Sequence, residues 1–541
     1  MSNPSDPVPP LEGALDTDFT IGQDNIEGQV GPFGFDIHNP VFVVSSLTAM
    51  LFILLTLLFP GTAGEIFKAI VGFATGTLDW YFMIVVDFFI LFCVVLIFTP
   101  YGSIRLGGKE ARPEYSYLSW FSMLFAAGIG IGLLFFGVLE PVYHMAVSSP
   151  LGTPSPFGED GTINTEAIER ARAMGIAGTY LHWGIHGWAV YVVMALALGL
   201  FTYNKGLPFS IRSAFYPILG ERIWGWWGHV IDILAVFSTL FGLATSLGLG
   251  AQQANAGMNF VYGLEISITT QVIVIVLVTM VALVSVWRGL DGGVKKLSEI
   301  NMIMALLFFL FVLFVGPTLA GLNGFWTGLV TYVEEFIPMS APFGRTDDAF
   351  REGWTAFYWA WWVSWAPFVG MFIARVSRGR SIREFVICVL LIPSMTIFIW
   401  MGVFGGVAID QLFANPDASL VKEYVIDNYS PELSLFGMLN ELPFTGIVST
   451  IAIILALIFF VTSSDSGSLV VDTITAGGKT DAPKPQRLFW ATIEGLIAIV
   501  LLIGGGLEAL QAGVTATGIP FSVVMLLMCY TIFRALQSEP R

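Results

Sequence analysis

Tyr358-Trp359-Ala360-Trp361-Trp362-Val363-Ser364-Trp365 places four indoles within seven residues, with Pro367 and Gly370 close behind them. Tyr358, Trp361, Trp362 and Trp365 recur at i, i+3, i+4 and i+7, so a helix carries them as one aromatic stripe. The apolar stretch around them, 354–374, has the length of one bilayer crossing, about 20 residues. Tryptophan favours membrane interfaces, and a belt or a helix-packing face is one reading of the stripe. Its density argues for another. Indole faces are the best side-chain partners of a quaternary cation, at roughly 2 kcal/mol when desolvated.

Stretches of the same length recur along the chain. Of 541 residues, 55% are hydrophobic and 12% charged, with a mean hydropathy of +0.77; a soluble domain carries roughly 25% charged residues. Backbone in lipid must satisfy its own hydrogen bonds, and runs this long suit helices rather than short barrel strands. The chain therefore reads as an all-α polytopic membrane protein. Twelve transmembrane helices are expected, at 40–59, 81–99, 116–136, 175–202, 228–253, 266–287, 299–320, 354–374, 384–409, 442–463, 488–507 and 514–533. An amphipathic stretch within 323–340, carrying Glu334 and Glu335, is expected to lie at the interface instead of spanning it.

The net charge of −16 owes much to one end: residues 1–38 hold seven carboxylates and no Lys or Arg. Residues 1–39 read as a disordered, acidic cytoplasmic tail, without the basic, apolar and small-residue regions of a signal peptide. Cys93, Cys388 and Cys529 stand singly in apolar spans and read as packing residues. With the N-terminus inside, eighteen of the 24 Lys and Arg fall on inner loops, as the positive-inside rule requires. This places the chain as a multi-pass protein of the cell (inner) membrane, among membrane lipid, with both termini cytoplasmic. No Lys or Arg lies deep in a span. Nucleotide motifs, metal-ligand clusters, nucleophile–base pairs and selectivity-filter repeats are lacking, which argues against an enzyme, a channel or a nucleic-acid partner.

Three further segments carry chemistry. The fourth span contains His182-Trp183-Gly184-Ile185-His186-Gly187-Trp188 and then Tyr191. Trp183, Trp188 and Tyr191 share one side of a helix, and Gly184 and Gly187 leave room for a ligand or a close helix. His182 and His186 have a metal-compatible i, i+4 spacing, but without a third ligand they read as hydrogen-bonding residues. In the third span, Ala126-Ala127-Gly128-Ile129-Gly130-Ile131-Gly132 pairs a small-residue packing motif with three helix-weakening glycines. An unwound turn there frees carbonyls for a cation and amides for an anion. The tenth span ends in Phe459-Phe460-Val461-Thr462-Ser463-Ser464-Asp465-Ser466-Gly467-Ser468. Such hydroxyls often bond back to their own helix, yet hydroxyl and carbonyl oxygens also suit a hard cation. Asp465 would tune that site or cap a following helix.

These four segments, with Arg288-Gly-Leu-Asp-Gly-Gly-Val-Lys-Lys-Leu-Ser after the sixth span and Arg375-Val-Ser-Arg-Gly-Arg-Ser-Ile-Arg-Glu-Phe after the eighth, resemble the betaine/carnitine/choline transporter (BCCT) family. The resemblance covers about residues 40–535. It implies two peripheral helices (40–115), then two inverted five-helix repeats (116–322 and 354–535), then a short tail (536–541). Interrupted segments at 128–132 and 361–370 would open the repeats and flank a midplane site. It also implies an aromatic box of Trp183, Trp188, Tyr191 and Trp362. Trp361 and Trp365 would line the pathway beside it, and amides near Gly128 and Gly130 would receive a carboxylate.

One implied sodium site uses the carbonyls of Ala126, Ile129 and Phe459 with the hydroxyls of Thr462 and Ser463. Ile129 stands where sodium-coupled relatives usually have methionine, which the use of a carbonyl tolerates. A second site would need two hydroxyls in the fifth span; Thr239 supplies one, but Leu243 replaces the other. The implied function is secondary active uptake of a small onium substrate: glycine betaine, choline, carnitine or dimethylsulfoniopropionate. Sodium symport is the leading mechanism, with Na+ as coupling ion and no cofactor. Proton-coupled uptake and sodium-independent antiport are the alternatives. A homotrimer is a family expectation. Because only seven residues follow Arg534, weak or absent osmotic regulation is expected.

Overall fold

The computed structural model describes residues 15, 17–31, 33–128, 130–158, 162–288 and 295–540. Two strands, β1 (Asn25–Val30) and β2 (Phe33–His38), precede a succession of helices. The first three are α1 (Asn39–Leu58), α2 (Pro60–Gly76) and α3 (Asp79–Phe98). The stretch expected as the third span is two helices, α4 (Tyr117–Gly128) and α5 (Ile131–Ala146). So is the fourth, as α6 (Ile168–Trp183) and α7 (Ile185–Gly199). After the short α8 (Tyr216–Leu219) come α9 (Trp226–Tyr262), α10 (Ile268–Arg288) and α11 (Lys295–Val315). Then α12 (Thr318–Glu334), α13 (Phe336–Ser340) and α14 (Asp348–Phe350) lead into α15 (Ala356–Val376). The chain continues through α16 (Ile382–Ala414), α17 (Leu420–Lys422), α18 (Ser434–Asn440), α19 (Thr445–Thr475) and α20 (Lys484–Gln537).

Among the described residues ten helical segments are long and apolar enough to cross a membrane. The body of the protein is thus all-helical and polytopic. At 54 residues, α20 would be roughly 80 Å long if straight, against a hydrocarbon core of about 30 Å. It is interrupted at Gly505 and Gly506, and Gly506 adopts φ 60°, ψ −131°, which glycine alone enters freely.

Packing gathers the long helices into two sets, which α15 joins by also lying against α9 and α20. α5 lies against α6 and α16, and α7 against α15; α9 lies against α19 and α20, which α10 also covers. Glycines set the closest approaches: a Cβ on Gly324 of α12 would come within 2.6 Å of the Gly402 carbonyl of α16.

Four expectations need correction. The segment 361–370 is not interrupted: α15 is continuous, with Pro367 inside it. A proline removes one N–H, and burial of nearly every neighbouring residue holds the turn in place. The tenth span does not end near Ser463, because α19 continues to Thr475 and leaves no following helix for Asp465 to cap. The amphipathic stretch expected at 323–340 has other bounds: α12 begins at Thr318 and ends at Glu334, burying Gly321, Gly324 and Gly328 while exposing Leu319, Trp326 and Val333, and α13 is separate.

The fourth correction concerns the tail. Within 1–39, Asn25–Val30 and Phe33–His38 pair antiparallel as a hairpin, with Asn25 opposite His38. Two of the acidic groups that suggested a solvated segment find a base in the loop before α20: Lys479 Nζ lies 2.5 Å from Asp36 and 3.0 Å from Glu27. Asn25 Nδ2 donates to the Ala476 carbonyl at 2.9 Å, and Gln486 Nε2 to that of Asp36 at 3.0 Å.

At the hairpin's end, His38 Nε2 accepts from Arg212 Nη1 at 3.2 Å. Burial, then the charge of Arg212, then the His229 ring lower the His38 pKa from 6.5 to about 3. The docked imidazole stays neutral, whereas an undocked one takes up a proton below about 6.5. Docking therefore weakens as pH falls from 6.5 towards 3. A spin label at Val30→Cys should become mobile over that range, and His38→Gln should flatten the transition. An unchanged profile in His38→Gln would remove His38 from this role.

Candidate functional site

Two helix breaks assemble the site. Between α4 and α5, Gly130 is extended (φ −158°, ψ −174°), so the first amides of α5 begin beside open space. Between α6 and α7, Gly184 departs from helical geometry (φ −98°, ψ −139°). That break leaves Trp183 at the end of one helix and Trp188 and Tyr191 on the next. Glycine is required at Gly184, where a Cβ would meet the Tyr180 carbonyl and the Phe398 ring.

The rings converge on Trp362 of α15. Its centroid lies 4.7 Å from Tyr191, 5.8 Å from Trp188 and 6.2 Å from Trp183, at interplanar angles of 48°, 67° and 73°. Trp188 and Tyr191 meet edge-on at 5.3 Å. Trp362 Nε1 donates to the His182 carbonyl at 2.9 Å, which fixes the ring plane. Trp361 meets Trp183 edge-on at 6.1 Å, and Trp365 packs on Phe368 at 5.3 Å. One cavity of about 720 Å³ is lined by Trp183, Trp188, Tyr191, Trp361, Trp362 and Trp365. Beyond Phe368 it reaches Tyr115, Ser298, Asn301 and Arg375, the last in the final turn of α15. Phe136 packs behind two of the lining rings, 5.7 Å from Trp183 and 5.9 Å from Trp361, and lies edge-on to Trp354 and Tyr358 at 6.3 and 5.7 Å.

Four of the five expected cation ligands, Ala126, Phe459, Thr462 and Ser463, line this cavity, as does Gly130. Thr462 Oγ1 sits 3.1 Å from the carbonyls of Ile458 and Phe459. A hydroxyl that donates to its own helix keeps lone pairs free for a cation. Gly128 is the last residue of α4, and Ile129 lies outside the described residues. In the fifth span, Thr239 Oγ1 donates to the Ala235 carbonyl at 2.8 Å. Leu243 is buried against Gly467 of α19, so methyl groups occupy the place of the second hydroxyl.

His182 and His186, paired by spacing, point to different partners. His186 Nε2 is 2.7 Å from Ser340 Oγ and 3.4 Å from Asp87. His182 joins a cluster centred on Glu140, which the motif reading overlooked. Glu140 is fully buried in α5. Its Oε1 contacts His182 Nδ1 at 2.5 Å and His144 Nε2 at 3.2 Å. Its Oε2 accepts from Trp183 Nε1 and Tyr358 Oη, both at 2.7 Å. The ligating atoms of Glu140, His144 and His182 lie within 4.8 Å of one another, but these hydrogen bonds already account for them. Glu140 lies just past the expected third span, 116–136, but inside α5, and a carboxylate within a span is a functional candidate by default. Asp465 pairs instead with Arg487 of α20 and accepts from Ser285 Oγ at 2.7 Å.

The box also depends on the glycines beneath it. A Cβ on Gly187 would overlap the Trp362 ring, and one on Gly132 the Trp183 ring. Gly187→Ala should lower ligand affinity by about tenfold or more by tilting Trp362 without removing it, since each 1.4 kcal/mol is tenfold. A tryptophan-fluorescence titration measures this; unchanged affinity would show that the ring's placement does not matter.

Comparison with known proteins places this geometry in context. The profile of the BCCT, betaine/carnitine/choline family transporter, matches residues 40–541. A glycine betaine/proline/choline transporter of Vibrio parahaemolyticus is 52% identical over 98% of this chain and 95% of its own length. Another protein of that organism, a glycine betaine transporter, is 51% identical over 97% of each chain. A glycine betaine transporter of Bacillus subtilis is 40% identical over 93% of this chain and 95% of its own.

Proposed function

The chain belongs to the betaine/carnitine/choline family of transporters, and on that premise we propose that it takes up a quaternary ammonium or tertiary sulfonium solute by sodium symport. It is a transporter, not an enzyme. The observation that carries the proposal is continuity: the box around Trp362 and the oxygens of Thr462 and Ser463 open into one cavity. An onium group sits among the indoles because it is bulky, weakly hydrated and attracted to ring faces. A substrate carboxylate, where present, meets the amides at the start of α5, where the helix dipole favours an anion. Sodium takes the carbonyls of Ala126, Ile129 and Phe459 with the two hydroxyls. Leu243 argues for one such site over two.

Twelve spans follow if α15 is added to the ten apolar segments and α20 is divided at Gly505–Gly506. The tryptophans of α15 lower its hydropathy without changing its length. The two packing groups support inverted repeats: the first two spans of each half lie together, as do the third and fourth. The cavity reaches Arg375, at the end of α15 that the positive-inside count assigns to the cytoplasm. With cytoplasmic termini this is an inward-facing state of an alternating-access cycle. Glycine betaine and choline are the leading substrates, since relatives bear those names; carnitine and dimethylsulfoniopropionate share the onium chemistry.

Binding of choline compared with its neutral isostere 3,3-dimethylbutan-1-ol tests the site. Choline should bind at least tenfold more tightly, from a cation–π contribution of roughly 2 kcal/mol. Equal affinities would mean that the pocket reads shape alone.

A further inference from the structure

We infer that Glu140, His144 and His182 form a buried proton-binding site that sets the charge behind the substrate box. The inference rests on the onium reading of that box and adds a second ligand, the proton.

Hydrogen-bond bookkeeping carries it. His144 Nδ1 lies 3.1 Å from the Ser148 carbonyl, which can only accept, so Nδ1 carries a hydrogen. A neutral His144 then presents a bare Nε2 to Glu140 Oε1, 3.2 Å away. Two lone pairs would face each other unless a further proton lies between them. The pair is therefore an imidazolium with a carboxylate, or an imidazole with a carboxylic acid.

The other contacts do not supply that proton. His182 Nδ1 lies 2.5 Å from Glu140 Oε1 and its Nε2 2.9 Å from Thr355 Oγ1, whose single hydrogen also has the Phe350 carbonyl as an acceptor at 3.4 Å; a neutral His182 has one N–H to give and none to spare for His144. The indole of Trp183 only donates, and it occupies Oε2 together with the Tyr358 hydroxyl. Glu140, His144 and His182 are all fully buried.

Neighbouring charges do not compensate the cluster. Arg345 is paired with Asp347, and Arg351 with Asp79 and Asp348. Tyr358 faces the cluster from α15, and Tyr143 and Tyr429 lie beyond Trp354, with Glu432 beside Tyr429. α16 meets α5 through Trp400 and Gly405, and α18 contains no titratable residue.

With its proton the cluster is neutral overall. Without it, one negative charge lies a single 2.7 Å hydrogen bond behind Trp183, an indole that faces the cavity. That charge enriches the ring and attracts an onium cation through a low-dielectric wall. Onium binding and proton release are then linked, and linkage is reciprocal. Glu140 is a positioning residue for Trp183 and, once deprotonated, the distant counter-charge of the substrate.

The test uses the purified full chain in weakly buffered solution with a pH-sensitive dye, while choline or glycine betaine is titrated by tryptophan fluorescence from pH 5.5 to 8.5. Affinity should tighten roughly tenfold as pH rises, with about one proton released per onium bound where the cluster titrates. Glu140→Gln cannot become an anion. It should bind weakly at every pH and release no proton, whereas a purely structural role would change affinity without changing the proton count. Wild-type binding with a flat pH profile and no proton release overturns the inference, as does a wild-type profile retained in Glu140→Gln. Absence of any onium binding would instead overturn the reading of the box.

Discussion

Replacing Trp362 by leucine should lower onium affinity about a hundredfold or more while leaving the helices assembled. Trp362 is the ring that the others share: Tyr191, Trp188 and Trp183 all lie within 6.2 Å of its centroid. Losing its face removes roughly 2 kcal/mol of cation–π attraction. Losing its indole N–H also strands the His182 carbonyl, for about 1 kcal/mol more. Together these amount to roughly a hundredfold, since each 1.4 kcal/mol is tenfold. Leucine fills most of the space and keeps α15 apolar, so the fold is not the casualty. Trp365→Leu should have a smaller effect, because Trp365 packs on Phe368 and beside Gly242, away from the four-ring cluster. Titration with glycine betaine separates the two variants. A loss below threefold in Trp362→Leu would remove it from the box.

The second large effect is expected at the cation end. Thr462→Ala with Ser463→Ala should raise the sodium concentration for half-maximal uptake by roughly a hundredfold. Each lost oxygen–cation contact is worth about 1.5 kcal/mol, on the scale of hydrogen bonds to charged groups. Thr462 Oγ1 lies 3.1 Å from the Phe459 carbonyl, so the two proposed ligands are neighbours. The double variant should keep its substrate affinity at saturating sodium, because neither residue belongs to the aromatic box. Unchanged sodium dependence would exclude this site and leave coupling to another ion.

Much of this arrangement was legible in the sequence because it depends on local spacing. The aromatic stripe on α15 follows from i, i+3, i+4, i+7, and the α4–α5 break from its alternating glycines. Less legible was what depends on three-dimensional contact. Gly184 reads as room for a ligand or a close helix; it is the close helix that the missing Cβ admits, through Phe398 of α16, some 200 residues away, and the break in the backbone there was not legible. Pro367 reads as an interruption, but α15 runs on through it, buried among the surrounding helices. The acidic tail reads as solvated, since neither Lys479 nor Gln486 is its sequence neighbour. Glu140 escaped notice as a single acid with no motif around it. Its partners come from α6 and α15 as well as from its own helix.

Accumulation of labelled glycine betaine in proteoliposomes tests the central claim most directly, with an inward sodium gradient imposed and compared with an equal potassium gradient. Saturable uptake above equilibrium, present only with sodium and lost in Trp362→Leu, is the predicted result. Uptake that proceeds equally well without sodium, or that never exceeds equilibrium, would contradict it.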